Sequence, residues 1–465
     1  MRGEIALTLD AIAKAVGGKL TGADRAVGGF SIDTRTLKPG DLFFAIPGER
    51  FDGHAFVSSA AAAGAAGSLV SRPQAIVPPA EGASLIVVSD TVAALQALAT
   101  YVRRESGSAV VAVTGSAGKS TTKEIAAEFL SARYQVFRNR GNLNNHIGLP
   151  LSLLDLRHRP DVAVVELGMN HAGEISTLVH IARPEVRVWT NVGPAHLEFF
   201  GTVQAIADAK AEIMEGAGSD DLLVANADDD LVMRHAMNFA GRVRTFGIER
   251  PADVRALAVR DLGVEGTVAR VRTPVGDAEI RTPLPGTANL ANVLAAAAVA
   301  IRFEVPLSDI VARSALLKPV ARRGEVTRTA TFTIVDDSYN SNPSALSRAL
   351  SMLAGETRFL RRVAVIGEML ELGEASEELH RLAGREAARA GLGALVAVGS
   401  APARALAEGA IAAGMPAINV HYVQDSSQAA ELAARLVKAG DLVLVKGSRG
   451  IRTEVVVDRL KAEVD

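Results

Sequence analysis

The chain has 465 residues, too many for a single hydrophobic core, and the length points to two or three domains. Its net charge of −2, with no basic tail or block, argues against a nucleic-acid partner, and the absence of cysteine excludes disulfides, thiolate metal sites and cysteine nucleophiles. Glu4 and Asp10 interrupt any N-terminal apolar segment, and the longest apolar stretch, near residues 290–301, falls short of the ~20 residues that span a bilayer, so a cytoplasmic protein is expected.

Residues 1–89 form a first region of short apolar runs and turns. Lys38-Pro39-Gly40-Asp41 precedes the run 42–46, and Phe51-Asp52-Gly53-His54 follows it. The alanine-rich stretch 58–67 reads as a small-residue helix, 73–82 as a loop and 84–88 as a strand. From Asp90 a helix with apolar positions at Val92, Leu95, Leu98 and Val102 leads into a buried strand. Strands at 161–166, 185–190 and 222–226, separated by helical patterns, predict a parallel sheet with helices on both faces. The character changes over 254–283, where alternating runs at 267–272 and 278–282 flank Val275-Gly276-Asp277. This is the pattern of an antiparallel insertion, and a helix over 289–302 follows it. A third region opens near Lys318, with strands at 331–336, 362–366, 394–398 and 441–445 and helices between them. A second open α/β sheet is expected there.

The most informative stretch is Val110-Val111-Ala112-Val113-Thr114-Gly115-Ser116-Ala117-Gly118-Lys119-Ser120-Thr121-Thr122. A β-branched run ends in two glycines, a lysine and hydroxyls, then passes into the amphipathic segment 123–133. Strand, glycine turn and helix N-terminus together make the cradle for a nucleotide polyphosphate. Gly115 and Gly118 let backbone N–H groups approach phosphate oxygens, Lys119 supplies charge near the β/γ-phosphates, and Ser120 offers a hydroxyl to Mg²⁺. Val113 stands where the general motif has its first glycine. The bland alternative is a helix N-terminus after a buried strand.

Other polar residues gather where strands end, the side on which open α/β sheets bind ligands. Glu166, in Glu166-Leu167-Gly168-Met169-Asn170, is placed to hold Mg²⁺ or merely to cap a helix. His196, in Asn191-Val192-Gly193-Pro194-Ala195-His196, is a metal ligand or a core histidine. Lys210 on its own reads as a solvated helix lysine. Asp336-Asp337-Ser338-Tyr339-Asn340-Ser341-Asn342-Pro343 suits a nucleoside, carboxylate to ribose and ring to base, or forms an Asx-rich turn. Lys446-Gly447-Ser448-Arg449 suits an anionic substrate.

Taken together these pieces resemble the Mur ligases, the ATP-dependent amide-forming enzymes of peptidoglycan precursor synthesis. The shortened loop 114–120 resembles that family's own phosphate loop. Gly141-Asn142-Leu143-Asn144-Asn145-His146-Ile147-Gly148, the Glu166–Asn170 run, Gly367-Glu368-Met369-Leu370-Glu371-Leu372-Gly373, and the segments at 336–343 and 446–449 agree with it in order. They point to the member that joins D-alanyl-D-alanine to UDP-N-acetylmuramoyl-tripeptide. The ligase adding the third peptide residue shares the pattern Ser31-Ile32-Asp33-Thr34-Arg35 but typically carries an Asp-Asn-Pro-Arg motif, which this chain lacks. That ligase and a folylpolyglutamate synthase-like enzyme stay as alternatives, beside a non-catalytic nucleotide switch. Where the family usually has Pro-Gly-Arg at the hinge into its last domain, this chain has Ala321-Arg322-Arg323.

The resemblance implies three α/β domains: 1–89 for the UDP-sugar, a central ATPase domain over 90–317, and a Rossmann-like ligase domain over 318–465. A monomer without membrane insertion is expected. It implies that Gly115, Ser116, Ala117, Gly118, Lys119, Ser120, Thr121, Asn289, Asn292, Arg323, Asp337 and Tyr339 hold ATP. Ser120 and Glu166 would hold one Mg²⁺. His196 and Lys210, the latter carbamylated, would hold a second. Ser31, Thr34 and Arg35 would bind the UDP moiety, Asn142, Asn144 and Asn145 would line the substrate channel, and Lys446 and Arg449 would meet substrate. Lys119, Lys210, His196 and Glu166 are the implied catalytic residues.

Overall fold

The computed structural model describes residues 3–48, 51–73, 83–139 and 141–463. From residue 74 onward, the loop expected over 73–82 lies outside them. Three sheets are present. The first has β1 (Lys19–Thr21), β2 (Gly29–Ser31), β3 (Asp41–Phe44), β4 (Gly67–Val70) and β5 (Leu85–Val87), in the order β1-β5-β4-β3-β2. Its inner strands β3 and β4 are buried throughout, and only β1 runs antiparallel.

The second sheet contains β6 (Ala109–Thr114), β7 (Val136–Arg138), β8 (Val162–Glu166), β9 (Val186–Trp189), β10 (Leu222–Asn226), β11 (Arg242–Gly247), β12 (Val254–Asp261), β13 (Thr267–Thr273) and β14 (Gly276–Thr282). The order is β14-β13-β12-β11-β10-β9-β6-β8-β7. Strands β8 and β9 are buried at every residue, as expected when helices cover both faces of parallel strands. The antiparallel strands β12, β13 and β14 are present, but β12 also pairs in parallel with β11. The expected antiparallel insertion is thus continuous with this sheet. Its outer strand β14 alternates toward its end between exposed and buried residues, the mark of a sheet wet on one face.

The third sheet has β15 (Glu325–Arg328), β16 (Thr333–Asp337), β17 (Arg361–Gly367), β18 (Ala394–Val398), β19 (Val420–Val423) and β20 (Asp441–Lys446), ordered β15-β16-β20-β17-β18-β19. All neighbours pair in parallel except β15 with β16. The period-two rule divides its side chains cleanly. Ala364, Ile366, Leu395, Ala397, Leu442 and Leu444 pack with Leu346, Leu350 and Leu406 on one face. Val363, Val365, Val396, Val443 and Val445 pack with Ala429, Ala433, Val456 and Leu460 on the other. Each large aliphatic side chain so buried contributes roughly 1.5–3 kcal/mol. This is the open α/β sheet expected from the sequence.

The chain divides into two compact units, residues 1–112 with 134–186 and residues 113–133 with 187–465. Among the described residues no helix is long and apolar enough to cross a membrane.

Candidate active site

In the second unit, the chain leaves β6 at Thr114 and enters the helix Lys119–Leu130 through Gly118. The helix begins four residues before the expected 123, so Lys119 and Ser120 occupy its first turn. Both loop glycines are required. Gly115 has φ +148° and a Cβ there would collide with Thr190 Oγ1; Gly118 has φ +82° and a Cβ would strike Asn292 Oδ1.

The loop is gripped by the segment after β9. Asn191 holds Ala117 from both sides, its Oδ1 accepting from the Ala117 N–H at 2.9 Å and its Nδ2 donating to the Ala117 carbonyl at 3.0 Å. Thr190 Oγ1 donates to the same carbonyl at 2.6 Å, and the Ser116 hydroxyl accepts from the Gly193 N–H at 2.9 Å. Asn292 accepts from Thr122 Oγ1 at 3.2 Å and lies 3.4 Å from Asn289 Oδ1. Asn342, which caps the helix Pro343–Gly355, donates to the Ser116 carbonyl at 3.4 Å. Lys119 Nζ donates to the Gly115 carbonyl at 2.7 Å. Thr121 follows in the helix's first turn. Thr190, Asn191 and Gly193 were not among the site residues expected from sequence. Their only signal was polar residues directly after a buried strand.

His196 caps the short helix Leu197–Phe200 with a left-handed backbone, φ +61°. Its Nδ1 lies 2.6 Å from Glu371 Oε2, a partner 175 residues away that was quoted in a motif but given no role. That hydrogen bond holds the Glu371 carboxyl below the usual carboxylate range, against the opposing effect of burial. Lys210 lies in the helix Val203–Ala211 and is only 1% exposed. It is therefore not the solvated lysine of the plain reading.

The ends of β16 and β20 bring two expected groups together. Asp337 and Lys446 are register partners, and Lys446 Nζ, on a 2% exposed residue, donates to Asp337 Oδ2 at 2.6 Å and to the Asn340 carbonyl at 3.0 Å. The Arg323 guanidinium stacks 4.2 Å from the Tyr339 ring centre, and Arg449 lies 5.8 Å from the same ring.

The hinge sequence has a physical account. Arg322 takes φ +60°, the left-handed conformation that glycine adopts freely, and its carbonyl accepts from the Tyr339 N–H at 3.1 Å. Its guanidinium lies 3.5 Å from Glu454, a half-exposed pair worth under about 1 kcal/mol. Relief of roughly 1–2 kcal/mol of left-handed strain should outweigh that loss. Arg322→Gly is thus expected to raise the thermal midpoint slightly and leave the KM for ATP unchanged. A midpoint lowered by several degrees would show that the side chain, not the bend, secures the hinge.

In the first unit, Glu166 ends β8 and is 3% exposed. Its N–H donates to Asn139 Oδ1 at 3.1 Å, and its Oε1 accepts from Asn144 Nδ2 at 2.8 Å. Asn145 Oδ1 accepts from the Gly148 N–H at 2.8 Å at the start of the helix Gly148–Leu153, and Asn142 lies exposed in the same loop. Asn144 thus serves the carboxylate and Asn145 the loop. Ser31 is buried and holds the Asp33 backbone, while Thr34 is half-buried. Arg35, exposed, pairs with Asp33 at 2.6 Å, and this hydrogen-bonded pair holds the Asp33 carboxyl down at about 2.

Among the described residues no cluster of three or more His, Asp or Glu is arranged to hold a metal. The donors fit hard cations in another way, since Mg²⁺ commonly takes one or two protein oxygens and completes its shell with phosphate and water. A hydroxyl such as Ser120 and a carboxylate such as Glu166 are donors of that class. An imidazole bonded at Nδ1 by a carboxylate is in the arrangement typical of histidine ligands.

Residues 113–300 match the Mur ligase middle domain, 322–449 the Mur ligase glutamate ligase domain, and 26–127 the Mur ligase family catalytic domain. The UDP-N-acetylmuramoyl-tripeptide–D-alanyl-D-alanine ligase of Escherichia coli K12 is 37% identical over 462 residues, covering 98% of this chain and 99% of that protein. A crystal structure of MurF from Acinetobacter baumannii superposes with a TM-score of 0.89 at 31% identity, covering 99% of this chain and 100% of the other. The MurF ligase of Thermotoga maritima in complex with ADP gives 0.81 at 30% identity, covering 94% and 97%.

Proposed function

The chain belongs to the Mur ligase family, and we infer that it is an ATP-dependent ligase joining D-alanyl-D-alanine to UDP-N-acetylmuramoyl-tripeptide in peptidoglycan precursor synthesis. The observation that carries this reading is the near-full-length identity to the Escherichia coli ligase of that specificity. The gripped phosphate loop supplies the physical support. We assign residues 1–89 to the UDP-sugar, 90–317 to ATP and 318–465 to the ligase half, in a monomer working in the cytoplasm.

A carboxylate is a poor acyl donor because its leaving group would be oxide. Transfer of the γ-phosphoryl group of ATP to the terminal carboxylate of the tripeptide releases ADP and forms an acyl phosphate. The D-alanyl-D-alanine amine attacks the acyl carbon, loses its proton, and the C–O bond to phosphate breaks. Triphosphate and carboxylate repel, so preorganised positive charge is the main requirement. Lys119 and the loop N–H groups provide it. Asn191 and Thr190 keep the loop in shape, so that little reorganisation is needed. Asn289 and Asn292 flank the loop, while Arg323, Tyr339 and Asp337 hold the nucleoside. Lys446 orients Asp337 in this scheme, which leaves Arg449 as the cation nearer substrate. Ser31, Thr34 and Arg35 take the UDP moiety, and Asn142, Asn144 and Asn145 shape the substrate channel.

Ser120 would be a ligand of one Mg²⁺, Glu166 is likewise assigned to Mg²⁺, and His196 with a carbamylated Lys210 would hold a second. Bound there, the cations would shield the transferring phosphoryl oxygens. Phosphate release from ATP and UDP-N-acetylmuramoyl-tripeptide is expected to accelerate with D-alanyl-D-alanine, and not with meso-diaminopimelate or L-glutamate. Equal acceleration by diaminopimelate would move the chain to the third-residue ligase. Acceleration by glutamate would favour the folate enzyme, and no amine-dependent release at all would leave a nucleotide switch.

A further inference from the structure

Seven described residues other than glycine have positive φ, and two of them, His196 at +61° and Glu371 at +64°, meet through the 2.6 Å Nδ1–Oε2 hydrogen bond. Strained backbones of this kind persist only where the surroundings over-determine them, and they gather at functional sites. Here the surroundings do so. The Glu198 N–H donates to the Glu371 carbonyl at 3.1 Å, joining the two segments a second time. The loop before Glu371 is pinned at Met369, whose N–H donates to His380 Nε2 at 2.9 Å, and at Leu370, whose N–H donates to Ser448 Oγ at 3.0 Å. His380 is fully buried, its Nδ1 2.7 Å from the Ser376 carbonyl. It therefore acts as a fixed neutral acceptor, and burial pushes its own pKa down. Glu371 is thus offered to His196 from a rigid support.

We propose that Glu371 is a positioning residue for His196: it accepts the Nδ1 proton, fixes one neutral tautomer and the ring plane, and so keeps the Nε2 lone pair available for a divalent cation. The proposal rests on the reading of His196 as a metal ligand. A carboxylate behind the ring also raises the basicity of the opposite nitrogen, which strengthens it as a donor. The competing role is a plain tie between the segments around 196–198 and 369–373, which would need the hydrogen bond but not the tautomer.

The test uses the full-length enzyme with ADP and Mn²⁺ as probe, its binding followed by electron paramagnetic resonance. Histidine ring ¹⁵N spectra are recorded without metal. His196 in the unaltered protein should show a protonated Nδ1. Glu371→Ala should mix the tautomers and weaken by about 10–100-fold the binding of the one Mn²⁺ that is sensitive to His196→Ala, while Glu371→Gln, which keeps an acceptor, should preserve the tautomer and lose less affinity. Glu371→Ala with an unchanged tautomer and unchanged Mn²⁺ affinity overturns the proposal, whatever happens to the thermal midpoint. His196→Ala separates the two levels. If it binds Mn²⁺ normally, the metal reading itself falls. If it binds weakly while Glu371→Ala binds normally, only the positioning role falls.

Discussion

Lys119→Ala should reduce the rate of phosphate release by about 10³-fold or more while leaving the thermal midpoint within a few degrees of the unaltered protein. The magnitude follows from what the ammonium does. Removing one preorganised group that stabilises developing charge typically costs about 10²–10³ in rate, and a full cation beside a transferring phosphoryl group belongs at the upper end. The small structural cost follows from its position. Lys119 is half-buried at the first turn of Lys119–Leu130, and its ammonium donates to the Gly115 carbonyl. The loop keeps its form through Asn191, Thr190 and Ser116, none of which needs the lysine. Lys119→Arg should recover little, since the longer planar fork does not reproduce a compact point charge. Phosphate release at the unaltered rate from a folded Lys119→Ala protein would sink the phosphate-loop assignment. An unfolded Lys119→Ala protein would show instead that the lysine shapes the loop.

Sequence reading went furthest where a function needs a local backbone shape. Gly115 and Gly118 announce their loop because no side chain fits against Thr190 or Asn292. A strand such as β18 is legible to the residue because a fully buried parallel strand is a bare apolar run. The same rule explains the misses. Strands β15 and β19 are four residues long and only half-buried, so they carry no such run. The helix at the phosphate loop starts on Lys119 because Gly118 and the loop end, not a capping side chain, set its first turn. The pairing of His196 with Glu371 lay out of reach for a different reason. Two polar residues 175 positions apart leave no periodic trace, and what joins them is the left-handed backbone at each end. Lys210 carries the same lesson inverted. Helical spacing alone does not tell a buried lysine from a solvated one.

Lys210→Ala is expected to lose activity by about 10²-fold or more and to regain part of it with added acetate or propionate. In the proposed site this lysine, 1% exposed, would face a divalent cation whose like charge disfavours the ammonium, and the neutral amine is a nucleophile. Attack of that amine on CO₂ forms an N–C bond and releases one proton, leaving a carbamate whose oxygens suit a hard cation better than nitrogen does. A small carboxylate diffusing into the space left by Lys210→Ala would restore an anionic oxygen donor, which an added amine would not. Two further measurements separate carbamate from plain structural support. Enzyme equilibrated with ¹³C-bicarbonate should show one carbamate carbonyl resonance that is absent from Lys210→Ala, and removal of dissolved CO₂ should lower the rate of the unaltered enzyme reversibly. If the resonance is missing and the rate is indifferent to CO₂, the buried lysine acts as an amine or a core residue, and the second cation must rest on His196 with another oxygen donor.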